Sequence, residues 1–414
     1  MIHFTKDRVR WELVPDFQPV LDRLLADTGT VIKESPTKLI TRHDFTGKPI
    51  YLKRYRNGSR ALKYYFHETE ARHEWNLAQQ AIQRGLPVVR YLAVGERWSA
   101  FGCQESLIIT EGFEGIRLDQ FAGKTGDACQ TALAKLVRQM HETGVYQSDL
   151  HHNILVQPEP LTLCRIDVDR GEMKNGPLTE EERIETLAYI NVFVPLLDKF
   201  FAVYQASTEF RAAVMKRSRV RRRKLIERRA ARCVARNLWF DRRSFGGMSW
   251  WVRREFLDDR LKRLLENPAV AVPGFVVRSY STGHAACRAY RHAFHLELLE
   301  IPTPRPIAVS RYLITAEIPG ATNRSMDVEI ARRAGRLLAQ LHANGFRHPQ
   351  WQPGDLVADV TGIVYLVGLA GLEYQKVVTP EAAAADRERW ASQFSNVTDR
   401  AAFDDAYANA SSGK

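Results

Sequence analysis

The stretch Val145-Tyr-Gln-Ser-Asp-Leu-His-His-Asn-Ile-Leu-Val156 decides the fold. It follows TALAKLVRQMHETG, a run with helical apolar spacing that ends on a glycine. After its polar centre it enters an apolar strand, and eighteen residues beyond Asp149 a second strand, Leu163-Cys-Arg-Ile-Asp-Val-Asp-Arg170, ends on the carboxylate of Asp167. One carboxylate in a loop can take or orient the proton of an attacking hydroxyl. Another at a strand end, with Asn153 four residues after Asp149, can hold a divalent cation.

Upstream of this pair the reading predicts strands at Thr30-Val-Ile-Lys33 and Leu39-Ile-Thr-Arg42. A turn, TGK at 46–48, then leads into a third strand, Pro49-Ile-Tyr-Leu-Lys-Arg-Tyr55. Lys53 closes the apolar run of that strand. About twenty residues later ETEARHEWNLAQQAIQ reads as a helix in which Trp75, Ala78 and Ile82 follow helical spacing, and it carries Glu74. Leu107-Ile-Ile-Thr-Glu-Gly112 reads as a strand entering a hinge, with Glu111 and Phe113 where a nucleotide base would bind through backbone groups. Phosphoryl transfer needs this set in this order: Lys53 on the nucleotide phosphates, Glu74 holding it, Asp167 and Asn153 on Mg²⁺, and Asp149 at the acceptor hydroxyl. The expectation is an α+β, bilobal, protein-kinase-like fold that binds ATP and Mg²⁺.

These residues resemble the lipopolysaccharide core kinases, the heptose and Kdo kinase family. The matching strings are YLKRYR at 51–56, HEW at 73–75 with GLPV at 85–88, MHETGVYQSDLHHNILV at 140–156 and RIDVDRG at 165–171. The resemblance covers roughly residues 25–200. It implies transfer of the ATP γ-phosphate to a sugar hydroxyl of the inner core, at the cytoplasmic face of the inner membrane, with an anionic glycolipid as acceptor. Three departures stand against the family pattern. The phosphate-covering turn, Lys33-Glu-Ser-Pro-Thr-Lys38, has no glycine, and Pro36 removes one amide donor. The usual His-Arg-Asp is Gln147-Ser148-Asp149, and Asn153 follows Asp149 by four residues where the family has five. The shorter spacing leaves His152 or a water as an alternative metal ligand, with loop packing the ordinary role for His151 and His152.

The second half repeats short strings of the first in the same order. LPVVRYLAV at 86–94 corresponds to IPTPRPIAV at 301–309, LIITEGFEG at 107–115 to YLITAEIPG at 312–320, and LVRQMHETGV at 136–145 to LLAQLHANGF at 337–346. In that register Arg278 replaces the lysine, Ala289 the helix glutamate, Gln350 the loop aspartate and Gly368 the metal aspartate, while Asp355 stands near the asparagine position. The connection from LDDRLKRLLENP to VVRSY is too short for two strands and a phosphate turn. The expectation is two kinase-like domains in tandem, the second a pseudokinase with a truncated N-lobe. The expected bounds are 1–205 for the active domain, 206–248 for a basic helical linker, 249–380 for the pseudokinase and 381–414 for a helical tail with a frayed end.

Composition narrows the setting. The chain has 414 residues, 45 % of them hydrophobic, and no run approaches the ~18 apolar residues that a transmembrane helix needs. The start, MIHFTKDRVRWELVPDF, lacks the apolar core of a secretory signal. Five cysteines without a CxxC or CxxH pair suit reduced thiols and argue against a structural zinc site. A cytoplasmic chain is expected. The net charge of +12 is concentrated in KRSRVRRRKLIERRAARCVAR at 216–236, which holds eleven Lys or Arg against Glu227. This basic helix reads either as a solvated connector or as a peripheral contact with anionic membrane lipid or glycolipid. No nucleic-acid motif accompanies it. Two other functions stay open at this point: a kinase acting on a protein or another small molecule, and a non-catalytic scaffold.

Overall fold

Alternation of buried and exposed residues starts the first sheet earlier than the sequence reading placed it. Strands β1 (Ile2–Lys6) and β2 (Val9–Leu13) form a hairpin, with Val9, Trp11 and Leu13 buried. Asp7 and Arg8 turn it with φ of 50° and 63°, the two positive angles that a tight hairpin turn demands. Helix α1 (Gln18–Ala26) lays Leu21 and Leu24 on the same core. Then follow β3 (Thr30–Glu34), β4 (Lys38–Phe45), β5 (Lys48–Arg56), helix α2 (Glu70–Gln83), β6 (Tyr91–Ser99) and β7 (Gly102–Glu111). The computed structural model describes residues 1–45, 47–321 and 327–411. It divides into two units, Met1–Arg222 and Arg223–Lys414.

In the first unit the sheet runs β1-β2-β6-β7-β5-β4-β3. Lys53 stands opposite Ile40 on one neighbour and Ile108 on the other, so both ladders fix its backbone. Thr69 caps α2 by accepting from the Arg72 amide, and Trp75 and Ala78 pack under the sheet. Ile82 is exposed, so the apolar stripe of this helix stops one turn short of the expectation.

Below the sheet come β8 (Ile116–Arg117), α3 (Asp127–Glu142), β9 (Val145–Gln147), β10 (Ile154–Gln157), β11 (Thr162–Arg165), β12 (Gly171–Met173), α4 (Glu180–Phe193) and α5 (Asp198–Tyr204). Strand β10 lies between β11 and β8, and β9 pairs with β12, Gln147 opposite Gly171. The segment 148–153 is therefore a loop pinned at both ends by short sheets. Its Leu150 is buried with Leu133, Val137 and Met140 of α3.

At the end of α3 the His141 ring meets the Tyr204 hydroxyl at 2.7 Å, and burial pushes its pKa down to about 3. The unfolded chain takes up a proton near pH 6.5 that the folded chain refuses, so His141 subtracts stability as pH falls below that value. His141→Gln is expected to flatten the stability profile between pH 6.5 and 5 by up to about 1.4 kcal/mol per pH unit, one proton's worth. Urea titrations of both proteins across that range check it.

The division falls inside α6 (Thr208–Ala231). The second unit continues with β13 (Phe240–Phe245), β14 (Met248–Arg253), α7 (Asp259–Glu266), β15 (Phe275–Ser279), α8 (Gly283–Leu298), β16 (Pro306–Val309) and β17 (Tyr312–Ala316). Their sheet runs β13-β14-β16-β17-β15. Next come α9 (Val328–Ala343), β18 (Phe346–Arg347), β19 (Leu356–Ala358), β20 (Val364–Leu366), β21 (Glu373–Tyr374), α10 (Pro380–Ala391) and α11 (Val397–Ser411). Two expected boundaries shift. Residues 206–248 are not all helical linker, because Phe240–Phe245 already pairs with β14. The end of the chain is helical, as expected, but α10 and α11 are not a loose tail: Trp390, Phe394 and Phe403 are buried in the unit's core. Gly335 on α9 explains the close docking of α11, since a methyl there would collide with the Phe403 carbonyl.

Candidate active site

Strand β5 points Lys53 and Tyr55 to the same side, two residues apart. The Lys53 ammonium donates to Glu74 Oε1 at 2.6 Å and to Asp167 Oδ1 at 3.1 Å. Tyr91 donates to Glu74 Oε1 at 2.9 Å and Tyr55 to Oε2 at 3.0 Å. Glu74 has no exposed surface, so its charge is held entirely by this lysine and two phenols. Burial pushes the Lys53 ammonium toward neutrality, but Glu74 and Asp167 outweigh it and hold its pKa above the ordinary value. Sequence reading found the lysine and the carboxylates and missed both tyrosines.

Asp167 sits at φ 51°, in the left-handed region that costs a non-glycine residue about 1 kcal/mol. That twist ends β11's direction and brings the carboxylate to Lys53. Burial raises the Asp167 pKa, but Lys53, and after it Lys38 and Lys33, pull it below the ordinary value. The two last lysines flank the glycine-free turn, where the Ser35 hydroxyl accepts from the Lys38 amide at 3.0 Å and donates to its carbonyl at 3.1 Å. The serine hydroxyl thus closes the turn, whose two flanking ammonium groups lie within electrostatic reach of Asp167.

Asp149 lies across from this triad, joined to it through Gln147. The Gln147 carboxamide donates to Asp149 Oδ1 at 3.1 Å and to the Asp167 backbone carbonyl at 3.2 Å. Its own oxygen accepts from the fully buried Arg165 guanidinium at 2.7 Å. Burial lowers the Arg165 pKa to about 10. Arg170 approaches the other Asp149 oxygen at 3.7 Å. Gln147, seen in sequence only as a departure, is therefore the link between the two aspartates.

Asn153 is buried, and its side chain makes no hydrogen bond with any described residue. Its carbonyl accepts from the Ile166 amide at 2.8 Å, which fixes it beside the strand that carries Asp167. Asp169, one turn of chain further on, was not singled out in the sequence. Burial, then Asp167 and Glu74, push its pKa up to about 6. Two neighbouring carboxylates and an unengaged carboxamide are oxygen donors short of a positive charge, which fits Mg²⁺. Among the described residues no cluster of three or more His, Cys, Asp or Glu is placed to hold a metal, so nucleotide oxygens would have to complete the shell.

His151 is packed face to face on Phe193, ring centroids 3.8 Å apart, and burial lowers its pKa to about 3. His152 turns to Arg117 at 2.5 Å and Asp119 at 3.1 Å. Both are loop-packing residues in this conformation. Glu111 ends β7 with its side chain on Arg90 at 3.1 Å and its amide donating to the Arg90 carbonyl at 2.9 Å. Any contact with a base must therefore come from its carbonyl or from the residues after it.

A strand lysine held by a helix glutamate, facing a strand-end aspartate and a loop aspartate, defines a phosphotransferase of the kinase type. Residues 22–187 match the model of the Lipopolysaccharide kinase (Kdo/WaaP) family, and the first unit is a kinase domain, an enzyme. The chain is also similar to the solved structure "WaaP in complex with acyl carrier protein", at 21 % identity and a TM-score of 0.41, over 52 % of this chain and 99 % of that one. No curated protein matches the sequence. Among the described residues no helix is long and apolar enough to cross a membrane.

Proposed function

We propose that the first unit transfers the γ-phosphate of ATP to a sugar hydroxyl of lipopolysaccharide inner core or a related glycolipid. The observation that carries the reading is the Lys53–Glu74–Asp167 triad with Asp149 tied to it through Gln147. Lys53 binds phosphate oxygens, and Glu74, with Tyr55 and Tyr91, keeps it extended toward them. Asp167 and Asp169 are neighbouring carboxylates and Asn153 is fixed beside their strand through the Ile166 amide, and Mg²⁺ held by these residues would neutralise charge on the transferring phosphoryl group. Lys33 and Lys38 take over part of the task that glycine amides perform in other phosphate turns. Glu111 lies where the adenine edge would meet the backbone, and Asp149 orients the acceptor hydroxyl and takes its proton.

Calorimetry of ATP binding, with and without Mg²⁺, tests the site. Binding is expected to depend on Mg²⁺ and to weaken in Asp167→Ala and Lys53→Met. No binding by the intact protein at millimolar nucleotide would return the chain to the scaffold reading, which the glycine-free phosphate turn and the short Asp149–Asn153 spacing favour. Label from ATP appearing only in protein, when glycolipid is offered beside it, would favour a protein kinase.

The second unit reads as a degenerate copy of the first. Omitting β3, β4 and β8, its elements follow the first unit's in order, from β13-β14-α7 against β1-β2-α1 to α10-α11 against α4-α5. Its sheet order is that of the first sheet without β4 and β3. Two contacts support the register. His342 meets the Tyr407 hydroxyl at 2.8 Å as His141 meets Tyr204, with Arg387 and Arg183 over the respective tyrosine rings. His348 binds the Gly368 carbonyl at 2.5 Å as Gln147 binds that of Asp167. In place of the lysine stands Arg278, in place of the glutamate a buried Ala289, and a Cβ at Gly368 would collide with the Asp355 carboxylate. A phosphate-binding triad has no counterpart there. The role left for it is support, or docking of acceptor or partner. The charges on α6 belong to the same question: Lys216, Arg219, Lys224, Arg228 and Arg229 are exposed and make no ion pair with described residues, which suits an anionic membrane surface.

A further inference from the structure

The first unit carries a second surface with no role in the site. Between β5 and α2 the chain makes a short 3₁₀ segment, Gly58–Tyr65. The β6–β7 turn packs on it: the Tyr65 ring lies 5.5 Å from Trp98, its hydroxyl donates to the Ser99 carbonyl at 3.0 Å, and Gly102 fits against the Ala61 carbonyl where a Cβ could not. The two segments thus form one face, and it is apolar and open. Phe66 is 87 % exposed, Phe101 73 %, Leu62 58 % and Tyr65 51 %. Leaving two phenylalanines and a leucine in water has no folding benefit, and a contiguous apolar patch of this kind marks a contact surface.

Its rim identifies the partner. From Phe45 to His67 the sequence contains no Asp or Glu and six Lys or Arg. Arg60 and Lys63 stand at the patch itself, and Arg97 precedes Trp98. Arg97 pairs with Glu105 at 3.3 Å and Lys63 with Glu70 at 3.6 Å, and the exposed Glu68 meets His73 and Asn76, which leaves Arg60 as the rim cation with no ion pair among the described residues. A rigid cluster of Phe, Tyr and Trp with an open arginine at its edge is matched to a lipid interface, where aromatic rings sit at headgroup level and a cation meets anionic headgroups. We propose that this face docks on an anionic bilayer, the apolar residues entering the interface, so that the first unit works on an acceptor embedded in the membrane. The purpose rests on the glycolipid reading above, while the contact itself rests on exposure and charge.

The test is flotation of the full chain with vesicles of phosphatidylglycerol in phosphatidylcholine, against phosphatidylcholine alone. The intact protein is expected to float with the anionic vesicles only. Phe66→Asp with Phe101→Asp is expected to lower the bound fraction by about tenfold or more, with Mg²⁺-ATP binding unchanged, and Arg60→Glu to lower it in a salt-dependent way. Both substituted aromatics are on the surface, so thermal midpoints should stay level. Failure of the intact protein to float, or flotation of the double variant like the intact protein, overturns the proposal. So does a concentration-dependent dimer that the double variant abolishes in the absence of vesicle binding. Nucleotide binding is read separately, so loss of the lipid contact and loss of the kinase reading are distinguishable.

Discussion

Asp149→Asn is expected to lower kcat for sugar phosphorylation by about 10²- to 10⁴-fold, with Mg²⁺-ATP affinity almost unchanged. Asparagine keeps the shape of the side chain and can still meet Gln147, so the loop should hold its place. What it loses is the ability to accept the proton of the attacking hydroxyl. Among the described residues Asp149 makes no hydrogen bond or ion pair with Lys53 or Glu74, and Gln147 bonds both it and the Asp167 carbonyl. The substitution should therefore separate chemistry from nucleotide binding, whereas Lys53→Met removes the partner of a fully buried Glu74 and should harm both. Single-turnover kinetics beside calorimetry check the split. Equal losses in both readouts would place Asp149 with the nucleotide and not with the acceptor.

The groups brought together at the site were legible to different degrees, and the reason is physical. Lys53, Glu74 and Asp167 could be read because a phosphate-binding charge must sit at a strand position, be held by a helix carboxylate and face a strand end, and each of these leaves a mark in apolar periodicity. Tyr55 and Tyr91 could not be read that way. A phenol that donates to a buried carboxylate looks in sequence like any strand aromatic, although Tyr55 sharing a strand face with Lys53 was a usable hint. Asp169 was visible in RIDVDRG, but only burial beside Asp167 and Glu74 gives it an unusual affinity for a proton. In the fold, the β1–β2 hairpin escaped because Asp7-Arg8 is not a glycine or asparagine turn. The β13 strand escaped because Arg242 and Arg243 fall in the stretch read as the basic linker. The last helices read as a tail and not as part of the core because alanine-rich stretches carry few large apolar residues. Their anchorage rests on three aromatics and on the gap that Gly335 leaves for the Phe403 backbone.

Gln147 offers the sharpest remaining separation of stability from catalysis. Gln147→Leu deprives the buried Arg165 guanidinium of the one hydrogen bond it makes among the described residues and leaves Asp149 and the Asp167 carbonyl without their common donor. A buried cation stripped of its partner costs about 3 kcal/mol or more, and an unfastened catalytic loop costs about 10²-fold in rate. Gln147→Glu changes the two effects in opposite directions. Its carboxylate suits Arg165 better than a carboxamide does, so much of the lost stability should return. Its second oxygen, however, cannot donate, and it would face Asp149 and a carbonyl with negative charge. The expected result is a variant about as stable as the natural chain in urea, with the rate as low as in Gln147→Leu. Recovery of rate together with stability would mean that Gln147 serves only to neutralise Arg165, and that the loop finds its position without help from the carboxamide.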